Sequence, residues 1–198
     1  MKRITDISQL DPAISYTYAD YLTWQFDGMV EIIKGKIFKM SPAPAPKHQL
    51  ISLSLCRELA NYFYKKTCKV FDAPFDVRLI KNRGKEDSQI ETVVQPDICI
   101  ICDMTKIDKR GCLGAPELII EILSDSTSAK DLVIKHALYE ENEVKEYWIV
   151  NPDAKSLRRC LLQDGKYIDV AYYDELDQII ENSLFIDLKI KMSDVFED

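Results

Sequence analysis

Apolar positions along the chain follow two periods. YTYADYLTWQF (16–26) has helical spacing and predicts a short amphipathic helix whose packing face carries Tyr18, Tyr21, Leu22 and Trp24. MVEIIKGKIFKM (29–40) predicts a hairpin, two β-rich arms around Lys34-Gly35. SPAPAPK follows as a proline-stiffened loop with His48 at its exit. HQLISLSLCRELANYFYKK then returns to helical spacing through Leu50, Leu53, Leu55, Leu59, Tyr62 and Phe63, and predicts a long helix. CKVFDAPFDVRLI (68–80) supplies one or two strands, NRGKEDSQIET a polar loop, and VVQPDICIIC (93–102) a strand entered through a proline. ELIIEIL (117–123) is a central strand, SDSTS a capped helix start, AKDLVIKHALYEEN the helix, and EVKEYWIVNP the next strand. The tail alternates strand and turn through LRRCLLQ, KYIDVAYYD, QIIEN and LFIDLKI before a short helix in SDVFED.

That order predicts an α/β fold, a mixed central β-sheet flanked by helices. One domain is expected over 1–198, with 1–28 as an N-terminal helical appendage and 151–198 as an antiparallel β extension. Charge narrows the partners. With 33 acidic against 26 basic residues and a net charge of −7, the chain does not hold nucleic acid by a broad basic surface, although a local site remains open. MKRITDISQLD has no apolar core of a signal peptide and no apolar run reaches the length of a membrane span, so the expectation is a cytoplasmic protein without membrane contact. The six cysteines, at 56, 68, 99, 102, 112 and 160, are scattered rather than spaced as a disulfide framework, and reduced thiols are expected. Cys99 and Cys102 form a CxxC inside a strand, where side chains three apart point to opposite faces, which argues against a zinc or redox site.

Glu121 stands among the isoleucines of a strand that otherwise reads as buried, and Asp97 follows Gln95-Pro96 in another strand. If the strands are neighbours, the two carboxylates converge near one end of the sheet, and paired hard oxygen ligands suit Mg²⁺ or Mn²⁺. Without a cation they repel each other. The plainer alternative puts each acid in water. In the following helix Asp131, Lys135 and Tyr139 fall on one side at i, i+4 and i+8, so Lys135 can point inward to orient or deprotonate a water and stabilise charge on a phosphate. The alternative there is an intrahelical Asp131–Lys135 surface pair. Tyr147 and Trp148, with Tyr172 and Tyr173, read as core aromatics, and His136 as packing or solvent-facing.

YTYADYLTW, VEIIKGKIFKMSPAPAPKHQLI, VQPDI and PELIIEILSDSTSAKDLVIKHALYEENEVKEYWIVNPD together resemble the Uma family of putative restriction endonucleases, within the PD-(D/E)XK nuclease superfamily, over roughly residues 16 to 175. The resemblance implies a restriction-endonuclease-like core, with Asp97 as the PD aspartate and Glu121 as the second acidic metal ligand. The slot expected to hold lysine after Glu121 is Leu123, and Lys135 with Tyr139 resembles a QxxxY helix motif with lysine in the glutamine position. Glu31 matches the family's acidic position in VEIIKGKIF, as a further ligand or a water-positioning group; its alternative is an exposed strand acid beside Lys34 or Lys36. His48 is a candidate metal ligand through neutral imidazole, or a loop histidine ordered by a backbone carbonyl. The implied activity is divalent-metal-dependent hydrolysis of DNA phosphodiester bonds, by a homodimer that presents two sites to two strands. The alternative is a non-catalytic interaction or regulatory module that retains a degenerate nuclease fold.

Overall fold

The structure, a computed structural model, describes residues 4–26, 30–40, 45–81, 84–124 and 129–196, with the side chains of 129–131 excepted. Most of the expected SPAPAPK loop and SDSTS cap, and the side chain of Asp131, lie outside the described residues.

In chain order the elements are α1 (Tyr18–Tyr21), β1 (Val30–Ile33), β2 (Lys36–Lys39), α2 (Pro46–Phe63), β3 (Lys69–Asp72), β4 (Val77–Arg78), β5 (Val93–Val94) and β6 (Ile98–Ile101). They continue as β7 (Ile107–Asp108), β8 (Gly111–Leu113), β9 (Leu118–Ile122), α3 (Ala129–Glu141), β10 (Glu146–Asn151), β11 (Ser156–Gln163) and β12 (Lys166–Tyr173). β13 (Ile179–Glu181), β14 (Lys189–Lys191) and α4 (Met192–Val195) close the chain. Two compact units share these elements: residues 1–43, 75–95 and 105–115 form the first, and 44–74, 96–104 and 116–198 the second.

The first unit holds a sheet ordered β2-β1-β5-β4-β8-β7. Its opening hairpin turns through Lys34 (φ 51°) and Gly35 (φ 77°), the paired left-handed conformations that match the twist of the flanking strands. The expected helix over 16–26 is one turn, α1. Its aromatics still pack: Tyr21, Trp24 and Phe26 join Leu10, Tyr16 and Ile32 in one apolar cluster.

The second unit holds the sheet β12-β11-β10-β9-β6-β3. β9 and β10 run parallel, joined through α3, as a parallel pair requires a crossover. Strand parity divides the two faces of β9. Leu118, Ile120 and Ile122 join Trp148 and Val150 in a core with Ile51, Leu55, Leu59 and Phe63 of α2, while Ile119 and Glu121 take the opposite face. Beneath this core Glu146, fully buried, accepts from the Trp148 indole (2.6 Å) and from Arg159 Nε (2.7 Å). At the edge strand β12, Glu140 of α3 accepts both the backbone N–H of Tyr167 (2.7 Å) and Lys166 Nζ (2.8 Å).

Four further expectations change. VVQPDICIIC is two strands in two sheets, β5 and β6, because Pro96 has no N–H to continue a ladder. Cys68 and Cys102 are joined in a disulfide rather than left as thiols. Carrying the β3–β6 register one step past Lys69↔Ile101 sets these two residues opposite each other, a tertiary adjacency invisible in their spacing. Leu50 and Leu53 face outward, since the buried stripe of α2 is His48, Ile51, Ser54, Leu55, Leu59 and Phe63. Tyr172 is 56% exposed on β12 and is no core aromatic.

Candidate active site

β6 and β9 pair antiparallel up to Ile98↔Ile120, so one further step places Asp97 opposite Glu121. Asp97 sits where the chain leaves Pro96 and enters β6. Its carboxylate is fixed on both oxygens: Oδ2 accepts the Ile122 N–H at 2.7 Å, and Oδ1 lies 3.3 Å from Nε2 of His48, in the first turn of α2. Its carbonyl accepts the Ala73 N–H at 3.0 Å.

Glu121 is 9% exposed, so the solvated alternative does not describe it. Oε1 accepts two hydrogen bonds from α3, from Lys135 Nζ at 2.9 Å and from the Tyr139 hydroxyl at 2.6 Å. Positions four apart on a helix share a face, which is why both donors reach one oxygen. A buried carboxylate is costly unless its charge is met, and the ammonium and phenol meet it. Lys135 thus points inward.

Behind this cluster Tyr139 packs edge-on to Tyr147, ring centroids 5.1 Å apart. Tyr147 belongs to β10 and pairs with Ile119, so on the shared face it is a diagonal neighbour of Glu121. Burial, and then the charge of Glu121, hold its hydroxyl well above the usual phenol range. That hydroxyl has no hydrogen-bond partner among the described residues. His136 packs against Tyr167 (5.1 Å) and Tyr147 (6.3 Å), and burial followed by the charge of Arg158 lowers its pKa. The hydrogen bond to Asp97, outweighing burial, raises that of His48.

Five of the six candidate residues therefore lie in the second unit: His48, Asp97, Glu121, Lys135 and Tyr139. Glu31 belongs to the first unit, where it is buried and Oε1 accepts the Gln95 N–H at 3.0 Å, so it is not an exposed strand acid. Lys36 instead reaches the carbonyls of Pro12, Ala13 and Ile14. The Ile122 N–H carries no side-chain signal and sequence reasoning missed it; Tyr147 was visible only as a core aromatic.

Among the described residues no three His, Cys, Asp or Glu side chains gather as a metal cluster. The donors present are two opposed carboxylates, which suits a hard cation that takes one or two protein carboxylates and fills its shell with water and phosphate oxygens. Among the described residues no helix is long and apolar enough to cross a membrane.

The sequence profile of the Uma2 family, described as "Putative restriction endonuclease", matches residues 18–193. An uncharacterized protein from Synechocystis sp. is 24% identical over 135 residues, which are 67% of this chain and 66% of that protein. The chain therefore spans just under two thirds of that relative's length. The crystal structure of a putative nuclease of the DUF820 group from Anabaena variabilis is similar with a TM-score of 0.68 at 20% identity, covering 91% of this chain and 97% of that one. The shared architecture is the mixed α/β fold.

Proposed function

Because the chain belongs to the Uma2 family, described as putative restriction endonucleases, we propose that it is a divalent-metal-dependent endonuclease hydrolysing DNA phosphodiester bonds. The observation that carries this reading is the facing pair Asp97 and Glu121, each immobilised by donors from a different helix. Asp97 and Glu121 would hold Mg²⁺ or Mn²⁺, which when bound offsets phosphate charge and acidifies water. His48 and the Ile122 N–H keep Asp97 in one rotamer, and Tyr139 does the same for Glu121. Lys135, which pairs with Glu121, would stabilise the charge that develops on a phosphate oxygen. It takes the place of the lysine that Leu123 does not supply. Glu31, in the first unit, fixes the Gln95 backbone. A homodimer would present two such sites to the two strands of a duplex, and size-exclusion chromatography with light scattering checks that part separately.

The test is cleavage of linear, circular, branched and single-stranded DNA with Mg²⁺ or Mn²⁺, alongside thermal denaturation. Either metal is expected to raise Tm, and Asp97→Ala or Glu121→Ala to abolish both the rise and cleavage in a folded protein. A wild-type protein with neither response would instead be a non-catalytic module of the same fold.

A further inference from the structure

The Tyr147 hydroxyl is fully buried, with no hydrogen-bond partner among the described residues. A buried donor without an acceptor costs stability, and phenylalanine would fill the same space without that cost. Its surroundings say where such a donor is useful. The ring lies edge-on against Tyr139, and the strand register places Tyr147 diagonally across from Glu121 on the same face of the sheet. Glu121 is held by Lys135 and Tyr139 together, and Lys135 is the more exposed partner, its side chain 18% accessible. A group at the rim of the cluster can leave, whereas the two tyrosines behind it are sealed in.

We propose that Tyr147 is a positioning residue for Glu121, a reserve donor that the carboxylate swings to meet when Lys135 departs. The proposal rests on the nuclease reading only for the reason Lys135 leaves, namely to meet a phosphate. While Lys135 stays on Glu121 the phenol is idle; once it goes, Tyr139 and Tyr147 hold the carboxylate from the protein side. The ammonium can then exchange partners without exposing an unsupported acid in the interior.

A double-mutant cycle on stability tests this without DNA or metal. Tyr147→Phe alone is expected to leave Tm unchanged or slightly raised, because an idle hydroxyl is removed. In a Lys135→Met background, which imposes the state with lysine absent, the same Tyr147→Phe change is expected to lower Tm by about 2–4 °C. Lys135→Leu serves as a second background should the methionine variant fold poorly. Equal effects of Tyr147→Phe in the wild-type and lysine-less backgrounds would overturn the proposal. The two readings fail separately: an additive cycle in a protein that cleaves DNA removes only the reserve donor, whereas a coupled cycle in a protein without cleavage or metal response removes the nuclease.

Discussion

Lys135 carries two roles that substitution separates. Its ammonium neutralises Glu121 in the folded protein and, under the proposed chemistry, stabilises phosphate charge during cleavage. Lys135→Ala is expected to keep the metal-dependent rise in Tm, since lysine is no ligand, and to slow single-turnover cleavage by about 10²-fold or more. Lys135→Arg should recover little, because a guanidinium is broader and cannot serve as a tunable amine. A folded Lys135→Ala protein cleaving at the wild-type rate would sink the relocated lysine. His136 gives a pH prediction at the same scale. Burial lowers its pKa below the ordinary 6.5, so the folded state resists its protonation. Its penalty on stability is absent above 6.5, grows as pH falls below that value, and is complete below the folded pKa. With two histidines in the chain, a proton NMR titration assigned with His136→Gln should place the lower of two imidazole curves at His136. The same variant should lose less stability than wild type on acidification.

Elements were legible where local chemistry decides them and obscure where pairing does. The β1–β2 hairpin follows from Lys34-Gly35, and β9 from its isoleucine-rich run, interrupted only by Glu121. Asp97 and Glu121 stood out as acids in apolar strands, and the antiparallel register supplied what sequence lacks, their opposition. Lys135 and Tyr139 were readable as one helix face, although not which carboxylate they grip. Periodicity misplaced Leu50 and Leu53, because α2 turns its His48–Ile51–Leu55–Leu59 stripe to the sheet and leaves those leucines outside. Pro96 was seen but read as an entry to one strand; it is where the chain changes sheet. The Glu146–Arg159 pair was equally hidden, since nothing local announces an ion pair between β10 and β11 with Arg159 also reaching Tyr173 and Ser183. Removing one partner leaves a buried charge, so Arg159→Met is expected to cost about 3–5 kcal/mol, with Glu146→Leu in the same chain recovering part of it. Urea denaturation of the single and double variants measures both.

Across the molecule, three of the points where the chain passes between its two units lie beside Pro74, Pro96 and Pro116, residues with fixed φ and no amide hydrogen to continue a ladder. The disulfide ties Cys68 to Cys102, both in the second unit, at a sequence separation of 34. Alkylation without reductant should therefore modify four of the six cysteines under denaturing conditions, and all six after reduction. Cys68→Ser is expected to lower stability by about 2–4 kcal/mol, the scale of closing a loop of that length. Glu140 has a consequence beyond the fold it completes. By occupying the Tyr167 amide it withdraws one of the hydrogen-bond donors that a free sheet margin offers to a neighbouring chain, and it sets an ionised group where another strand would dock. Strand addition at the turn of the β11–β12 ribbon is therefore expected to be disfavoured by this single carboxylate. Glu140→Ala should leave secondary structure unchanged by circular dichroism while light scattering on mild heating rises earlier than in the wild type.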